Sequence, residues 1–352
     1  MNTSQRIGQL LFVGIPGPTL EPATRETLER LHVGAVILFR RNVGTPNAVA
    51  ALTAQLHALP SRPLVAIDHE GGRVMRLGAP FTQFPPAAAI GRTGDPDVAY
   101  RVGRAMAAEL ASVGITLSFA PVLDVHSNPN NPIISDRAYA SDPAVVAEMG
   151  IAMMRGLLDG GVIPCGKHFP GHGDTERDSH LELPIVRRSR EELERIELLP
   201  FRAAIAAGVP MLMTAHVLYP GLDPDRPATL SRLVLTDLLR HDLGFAGVIA
   251  SDDLEMRAIT DHQPIGGAAV ASLQAGADAL LVCQDLGRAV EVFAAIAGAV
   301  DSGGLPAATV DAAAERLGRL GAALPARPIP PCTLPNATHV ALVEKIRGGR
   351  PA

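Results

Sequence analysis

Cysteine is scarce: Cys165, Cys283 and Cys332 are the only three in 352 residues, far apart and without a CxxC pair. An odd, sparse set argues against a disulfide framework, and its spacing offers no structural zinc site. Long runs of one charge are also missing. Charged residues make up 19% of the chain, the net charge is −5, and the two signs are interspersed. That leaves no electrostatic footprint for nucleic acid or an anionic membrane. No apolar run reaches the roughly 18 residues that a membrane span needs. The first segment, MNTSQRIGQLLFVGIPG, has a short apolar run, one early positive charge and no small-residue cleavage site. Gln9–Ile15 therefore reads as a strand and not as a signal peptide. These absences predict a soluble cytoplasmic chain, monomeric by default, with neither nucleic acid nor membrane as a partner.

What is present is apolar sequence in quantity. At 47% hydrophobic over 352 residues, the chain can bury one large core or two modest ones. Short β-branched-rich runs recur at Gln9–Ile15, Val33–Phe39, Leu64–Asp68, Leu117–Ala120, Ile163–His168, Met211–His216, Val248–Ser251 and Ala279–Val282. They lack strict polar alternation, as expected when both faces of a parallel strand are buried. Helical patterns lie between them at Pro46–Leu59, Asp97–Val113, Pro143–Asp159, Ser189–Ala207 and Ser231–Leu243. Ser189 precedes Glu191 and Glu192, and Asp142 precedes Pro143, both helix-start chemistry. Gly160, Gly208 and Gly244 sit where helices should stop.

Eight strands alternating with helices predict an α/β chain: a single (β/α)8 TIM barrel with extended βα loops. One barrel needs roughly 250 residues, so residues 1–323 are assigned to it. Residues 324–352, beginning in a proline-rich stretch, are expected to form a surface tail and a short terminal helix. A doubly wound open sheet is the alternative, but it usually needs fewer units, and no GxGxxG follows the first strand.

In such a barrel, sites assemble at the C-terminal ends of strands, and the unusual polar residues cluster there. The third strand ends in Asp68-His69-Glu70-Gly71-Gly72-Arg73, with Arg76 just beyond. Asp124 follows the fourth, then a Pro/Asn-rich loop carrying Asp136 and Arg137. The fifth ends in Lys167-His168 and opens into a long loop with Asp178-Ser179-His180. The sixth ends at His216 and the seventh in Ser251-Asp252-Asp253. Each residue alone has a structural explanation: Asp68 as a turn cap, Lys167 as an internal ion-pair partner, Asp252 as an N-cap unless Asp253 takes that role. Five consecutive mouths lined this way point to a site. An Asp beside a His, as in Asp178-Ser179-His180, suits a proton donor that later becomes an acceptor.

Several of these stretches resemble one known family. Lys167-His168-Phe169-Pro170-Gly171-His172-Gly173-Asp174-Thr175 followed by Asp178-Ser179-His180 is similar to the signature of family-3 glycoside hydrolases of the β-N-acetylglucosaminidase branch. Asp68-His69-Glu70-Gly71-Gly72-Arg73-Val74, the stretch SFAPVLDV at 118–125 and GVIASDDLEM at 247–256 fit it too. The resemblance runs in order from near residue 33 to near residue 285, and so polar a pattern is specific. It implies that Asp252 is a nucleophile and His180 the acid/base, assisted by Asp178. It also implies that Asp68, Arg76, Arg137 and the Lys167-His168 pair hold the sugar hydroxyls and acetamido group, and that no cofactor takes part. The implied partner is a small carbohydrate: GlcNAc β-linked to an anhydro-muramic-acid residue of a cell-wall muropeptide, with chitobiose second. Family-3 β-glucosidases often draw a glutamate acid/base from a second domain. This sequence shows no such domain, which agrees with a loop histidine in that role.

Three rivals remain open at this stage. A histidine donor leaves room for an anionic acceptor, so a β-N-acetylglucosaminide phosphorylase would use the same residues; hydrolysis is preferred because no additional basic phosphate cluster is evident. A metal-dependent barrel hydrolase would use His168, His172 and His180 with Asp174. A non-catalytic sugar-binding protein would be expected to lose the nucleophile or the loop histidine, and both are present.

Overall fold

The eight apolar runs form eight parallel strands that close on themselves in chain order. They are β1 (Leu11–Gly14), β2 (Ala35–Leu38), β3 (Leu64–Ile67), β4 (Leu117–Ser118), β5 (Ile163–Phe169), β6 (Met211–Thr214), β7 (Val248–Asp253) and β8 (Ala279–Val282). The computed structural model describes residues 1–176, 179, 182–322 and 332–348. Closure is visible in the register of β1, which pairs on one side with Ala35–Ile37 and on the other with Leu280–Val282. Every position of β1, β2, β5, β6 and β8 is buried. That is the physical reason these strands show no polar alternation: side chains fill the barrel on one face and meet helices on the other. The predicted TIM barrel is therefore the architecture observed.

The helices start where local chemistry places them. Asp142 caps Pro143–Asp159 by accepting from Ala144 N at 2.8 Å, and proline follows at the first turn. Ser189 and Glu192 form a reciprocal capping box at the start of Arg190–Arg195. At Gly160 the stop is displaced by one residue. Gly160 itself is right-handed, and Gly161 takes the positive φ of 85°. The expected helix Ser189–Ala207 is broken in two, Arg190–Arg195 and Leu198–Ala206. Pro200 explains the break: in a continuous helix its ring would press on the Ile196 carbonyl and its missing N–H would leave that carbonyl unfilled. The expected helix over Ser231–Leu243 is a π-helix, Leu233–Asp242.

Two βα loops carry small antiparallel hairpins. His69–Gly71 pairs with Val74–Met75 after β3, and Leu218–Tyr219 pairs with Asp223–Pro227 after β6. A last helix, Ala337–Arg347, buries Val343 and Ile346. No helix among the described residues is long and apolar enough to cross a membrane.

Candidate active site

The C-terminal mouth of the barrel opens into a cavity of about 590 Å³. Ile37, Phe119, Met213 and Leu281 give it an apolar floor, and Asp68, Glu70, Arg76, Arg137, Lys167, His168 and Asp252 line its walls. All the sequence-predicted site residues that fall among the described ones therefore converge on one cavity. Asp178 and His180 lie outside the described residues.

β5 delivers the centre of the site. Lys167 and His168, just before its last residue Phe169, are joined by a cis peptide bond and are both buried. Lys167 Nζ donates to Asp68 Oδ1 at 2.8 Å and lies 2.5 Å from Glu70 Oε1. Arg76 Nη2 donates to the other Asp68 oxygen at 2.8 Å. Arg137 grips Glu70 through Nε and Nη2, both at 2.9 Å. The result is a continuous row, Arg76–Asp68–Lys167–Glu70–Arg137, of three cations and two carboxylates.

Burial alone would raise both carboxyl pKa values, but the cations outweigh it. Lys167 and then Arg76 hold Asp68 well below the usual range, and Arg137 and Lys167 hold Glu70 at about 2. Conversely, burial would lower the lysine, yet Asp68 and Glu70 raise it. Asp68, Glu70, Lys167 and Arg137 are thus each held in the charged form by their neighbours, so the row presents preorganised donors and acceptors to polar substituents of a ligand.

His168 is oriented from behind. Its Nδ1 lies 2.7 Å from Asp124 Oδ2, and the other oxygen of Asp124 accepts from the backbone N–H of His168 (3.1 Å) and of His172 (2.7 Å). Burial opposes ionisation of Asp124, but His168 and these donors hold it at about 2. A carboxylate on Nδ1 keeps the proton there and turns Nε2 into the face presented to Arg137, 3.4 Å away. His172 is different. Burial lowers it to about 4, and its two nitrogens are engaged by Thr175 Oγ1 (2.9 Å) and Ser179 Oγ (3.0 Å).

β7 ends in Ser251-Asp252-Asp253. Asp252 Oδ1 accepts from Asp253 N at 2.8 Å. The alternative of an N-cap role does not hold, because the next helix, Arg257–Thr260, begins after Met256. Asp253 instead closes a turn and ties β7 to β8, its Oδ1 accepting from Glu255 N and Cys283 N at 3.1 and 3.3 Å. Burial pushes its carboxyl up to about 7, helped by the nearby charges of Glu255 and Asp252.

Glu70 and Asp124 were seen at barrel mouths in the sequence but given no role in the site. For Glu70 a signal existed: side chains two apart along an extended segment share a face, so Glu70 follows Asp68 into the mouth while His69 turns away into the interior. Asp124 sits in irregular backbone, where no periodicity reports direction.

Among the described residues no group of three His, Cys, Asp or Glu is placed to hold a metal ion. Of the rival's ligand set, His172 has both nitrogens engaged and His180 lies outside the described residues.

Comparison with known proteins agrees with this geometry. The sequence pattern of the glycosyl hydrolase family 3 N-terminal domain matches residues 2–320. A β-hexosaminidase of Nitrosomonas eutropha is 43% identical over 293 residues, covering 81% of this chain and 84% of that one. A solved family-3 β-N-acetylglucosaminidase from Paenibacillus sp. superposes with a TM-score of 0.95 at 40% identity, covering 99% of this chain and 69% of that one. NagZ from Neisseria gonorrhoeae gives a TM-score of 0.82 at 34% identity, with 97% of each chain covered. With the barrel, the charged mouth and these relatives in agreement, the chain belongs to glycosyl hydrolase family 3 and is a glycoside hydrolase.

Proposed function

We propose that the chain is a retaining β-N-acetylglucosaminidase that uses Asp252 as nucleophile and His180, assisted by Asp178, as acid/base. The observation that carries this reading is the shared cavity: Asp252 at the end of β7 lines the same 590 Å³ space as the Arg76–Asp68–Lys167–Glu70–Arg137 row. A carboxylate and a sugar-sized set of fixed donors and acceptors then face one ligand. The family resemblance assigns the roles of Asp178 and His180. Ser179 between them is buried, lines this cavity and is hydrogen-bonded to His172.

In the first step the Asp252 carboxylate attacks the anomeric carbon as the C–O bond to the aglycone breaks, and His180 gives its proton to the leaving oxygen. In the second, His180 takes a proton from water, the hydroxide displaces Asp252, and the β configuration is restored. Positioned proton transfer of this kind contributes roughly 100- to 10,000-fold. Asp68 and Arg76 accept and donate to ring hydroxyls, while Arg137 with Lys167 and His168 takes part in reading the acetamido group. The names of the relatives support GlcNAc as the sugar, and the natural substrate we infer is a GlcNAc-terminated cell-wall muropeptide.

The experiment is turnover of aryl β-GlcNAc against aryl β-glucoside, with and without phosphate, in the parent and in Asp252→Asn. The parent should strongly prefer GlcNAc, be indifferent to phosphate and release the β anomer; Asp252→Asn should be folded and inactive. Near-normal turnover by Asp252→Asn would remove the nucleophile assignment. Phosphate-dependent release of a sugar phosphate would make the enzyme a phosphorylase.

A further inference from the structure

The hairpin after β3 supplies the grip of the site. Glu70 lies on it, Asp68 immediately precedes it and Arg76 immediately follows. It does not stand alone above the barrel but rests on the segment 81–86. Gly72 N donates to Phe84 O at 2.9 Å. Gly71 and Gly72 both have positive φ, and a Cβ on either would collide with Pro85 or Pro86. The hairpin backbone therefore lies directly against the Pro85 carbonyl and the rigid Pro86 ring, with no flexible side chain between to absorb a shift.

That segment is held from behind. Glu109, buried in the helix Pro96–Ser112, accepts from Thr82 N at 2.9 Å and Thr82 Oγ1 at 2.5 Å. The remaining donor comes from the last helix: His339 Nδ1 lies 2.8 Å from Glu109 Oε1. Eight residues on, Arg347 donates to Gln83 O at 3.1 Å. A carboxylate that is 1% exposed needs its oxygens filled. Loss of the His339 bond is therefore felt at Glu109 and passed to Thr82.

We propose that the helix Ala337–Arg347 is a strap that positions the substrate grip, with His339 acting through Glu109 and Thr82 on the hairpin that presents Asp68, Glu70 and Arg76. His339 is a positioning residue: it reaches the cavity only through a chain of hydrogen bonds and packed backbone. The inference rests on the reading of Asp68 and Arg76 as the groups that hold the sugar.

The test compares His339→Ala, His339→Gln, Arg347→Ala and the remote core variant Val310→Ala, measuring turnover of aryl β-GlcNAc, calorimetric binding of free N-acetylglucosamine, and melting temperature. The strap predicts that His339→Ala raises KM about 3- to 10-fold and weakens N-acetylglucosamine by the same factor, with kcat little changed. His339→Gln, which keeps a donor, should restore most of the loss, and Arg347→Ala should show a smaller rise of the same kind. Val310→Ala should lower the melting temperature and leave KM alone. Unchanged KM in both His339→Ala and Arg347→Ala, or an equal rise in Val310→Ala, overturns the strap. If His339→Ala does not fold, Arg347→Ala and His339→Gln decide. Asp68→Asn separates the two readings. Should it leave N-acetylglucosamine binding intact, the grip assignment falls and the strap with it; should it abolish binding while the helix variants do nothing, only the strap falls.

Discussion

A lysine carried into a protein interior keeps its charge only where carboxylates meet it, and Lys167 is met by two. Glu70 stands between Lys167 and Arg137 with 4% of its side chain exposed, so its charge is what lets two buried cations lie side by side. Glu70→Gln keeps the shape and removes the charge. The expected cost at pH 7 is about 3–5 kcal/mol of stability, the usual penalty for breaking a buried pair, together with weaker sugar binding. The pH dependence has a definite sign. The native pKa of about 2 lies below the ordinary 4.5, so this stabilisation is complete above about pH 4.5 and fades as pH falls toward 2. Urea unfolding from pH 7 to 3 should show parent and variant converging in that lower window; a constant gap would mean that Glu70 compensates no charge. Asp68, Lys167, His168 and Asp252 were legible in the sequence because each lies within two residues of the C-terminal end of a strand. Asp124, in irregular backbone with its oxygens turned toward His168 and His172, gave no such pattern.

At the scale of elements, the loop after β5 is held at its base from three sides. Asn131 Nδ2 donates to the carbonyls of His172 and Gly173 at 2.8 and 3.0 Å. Arg188 pairs with Asp174 at 2.9 Å, and Glu197 sits 3.5 Å from Arg188 and accepts from Ser127 Oγ at 3.1 Å. Glu197 lies at the break between Arg190–Arg195 and Leu198–Ala206, a break that Pro200 announces in the sequence but that the apolar period runs straight through. Burial pushes its carboxyl up to about 7, against the pull of Arg188. The folded state therefore holds a proton that the unfolded chain releases near pH 4.5, and stability contributed by the protonated form declines as pH rises from about 4.5 to 7. Glu197→Gln cannot ionise. Relative to the parent it should gain roughly 3 kcal/mol between pH 5 and pH 8, read as diverging urea midpoints. Parallel curves would show that Glu197 is ionised in the native loop. The hairpins after β3 and β6 were not legible at all. Their strands are as short as two residues, too brief for a period, and their pairing is fixed by the barrel mouth beneath them.

For the molecule as a whole, the closed barrel could be read from sequence because its signal is repeated eight times and each run is apolar on both faces. The last helix was expected as a packed terminal element, but its bond to Glu109 joins positions 230 residues apart and has no local trace. The same architecture separates two jobs, with chemistry at the C-terminal face and stability at the N-terminal one, and Asp278 tests that separation. It stands just before β8, on the face opposite the cavity, and is 1% exposed. Its carboxylate accepts from Ile249 N in β7 at 2.8 Å, from Arg316 in the helix Ala307–Ala322 at 2.8 Å, and from Arg240 of the π-helix. One side chain thus ties two strands and two outer helices together. Asp278→Ala would leave Arg240, with 11% of its side chain exposed, as a nearly buried charge without its carboxylate. The expected loss is about 3–5 kcal/mol, seen as a lower melting temperature and urea midpoint. KM for aryl β-GlcNAc should stay at the parent value, since the cavity and the Lys167 row lie at the other end of the strands. Glu70→Gln, with a similar stability loss, should change both. If Asp278→Ala raised KM to the same degree, the two faces would be mechanically coupled, and the division of labour between them would have to be abandoned.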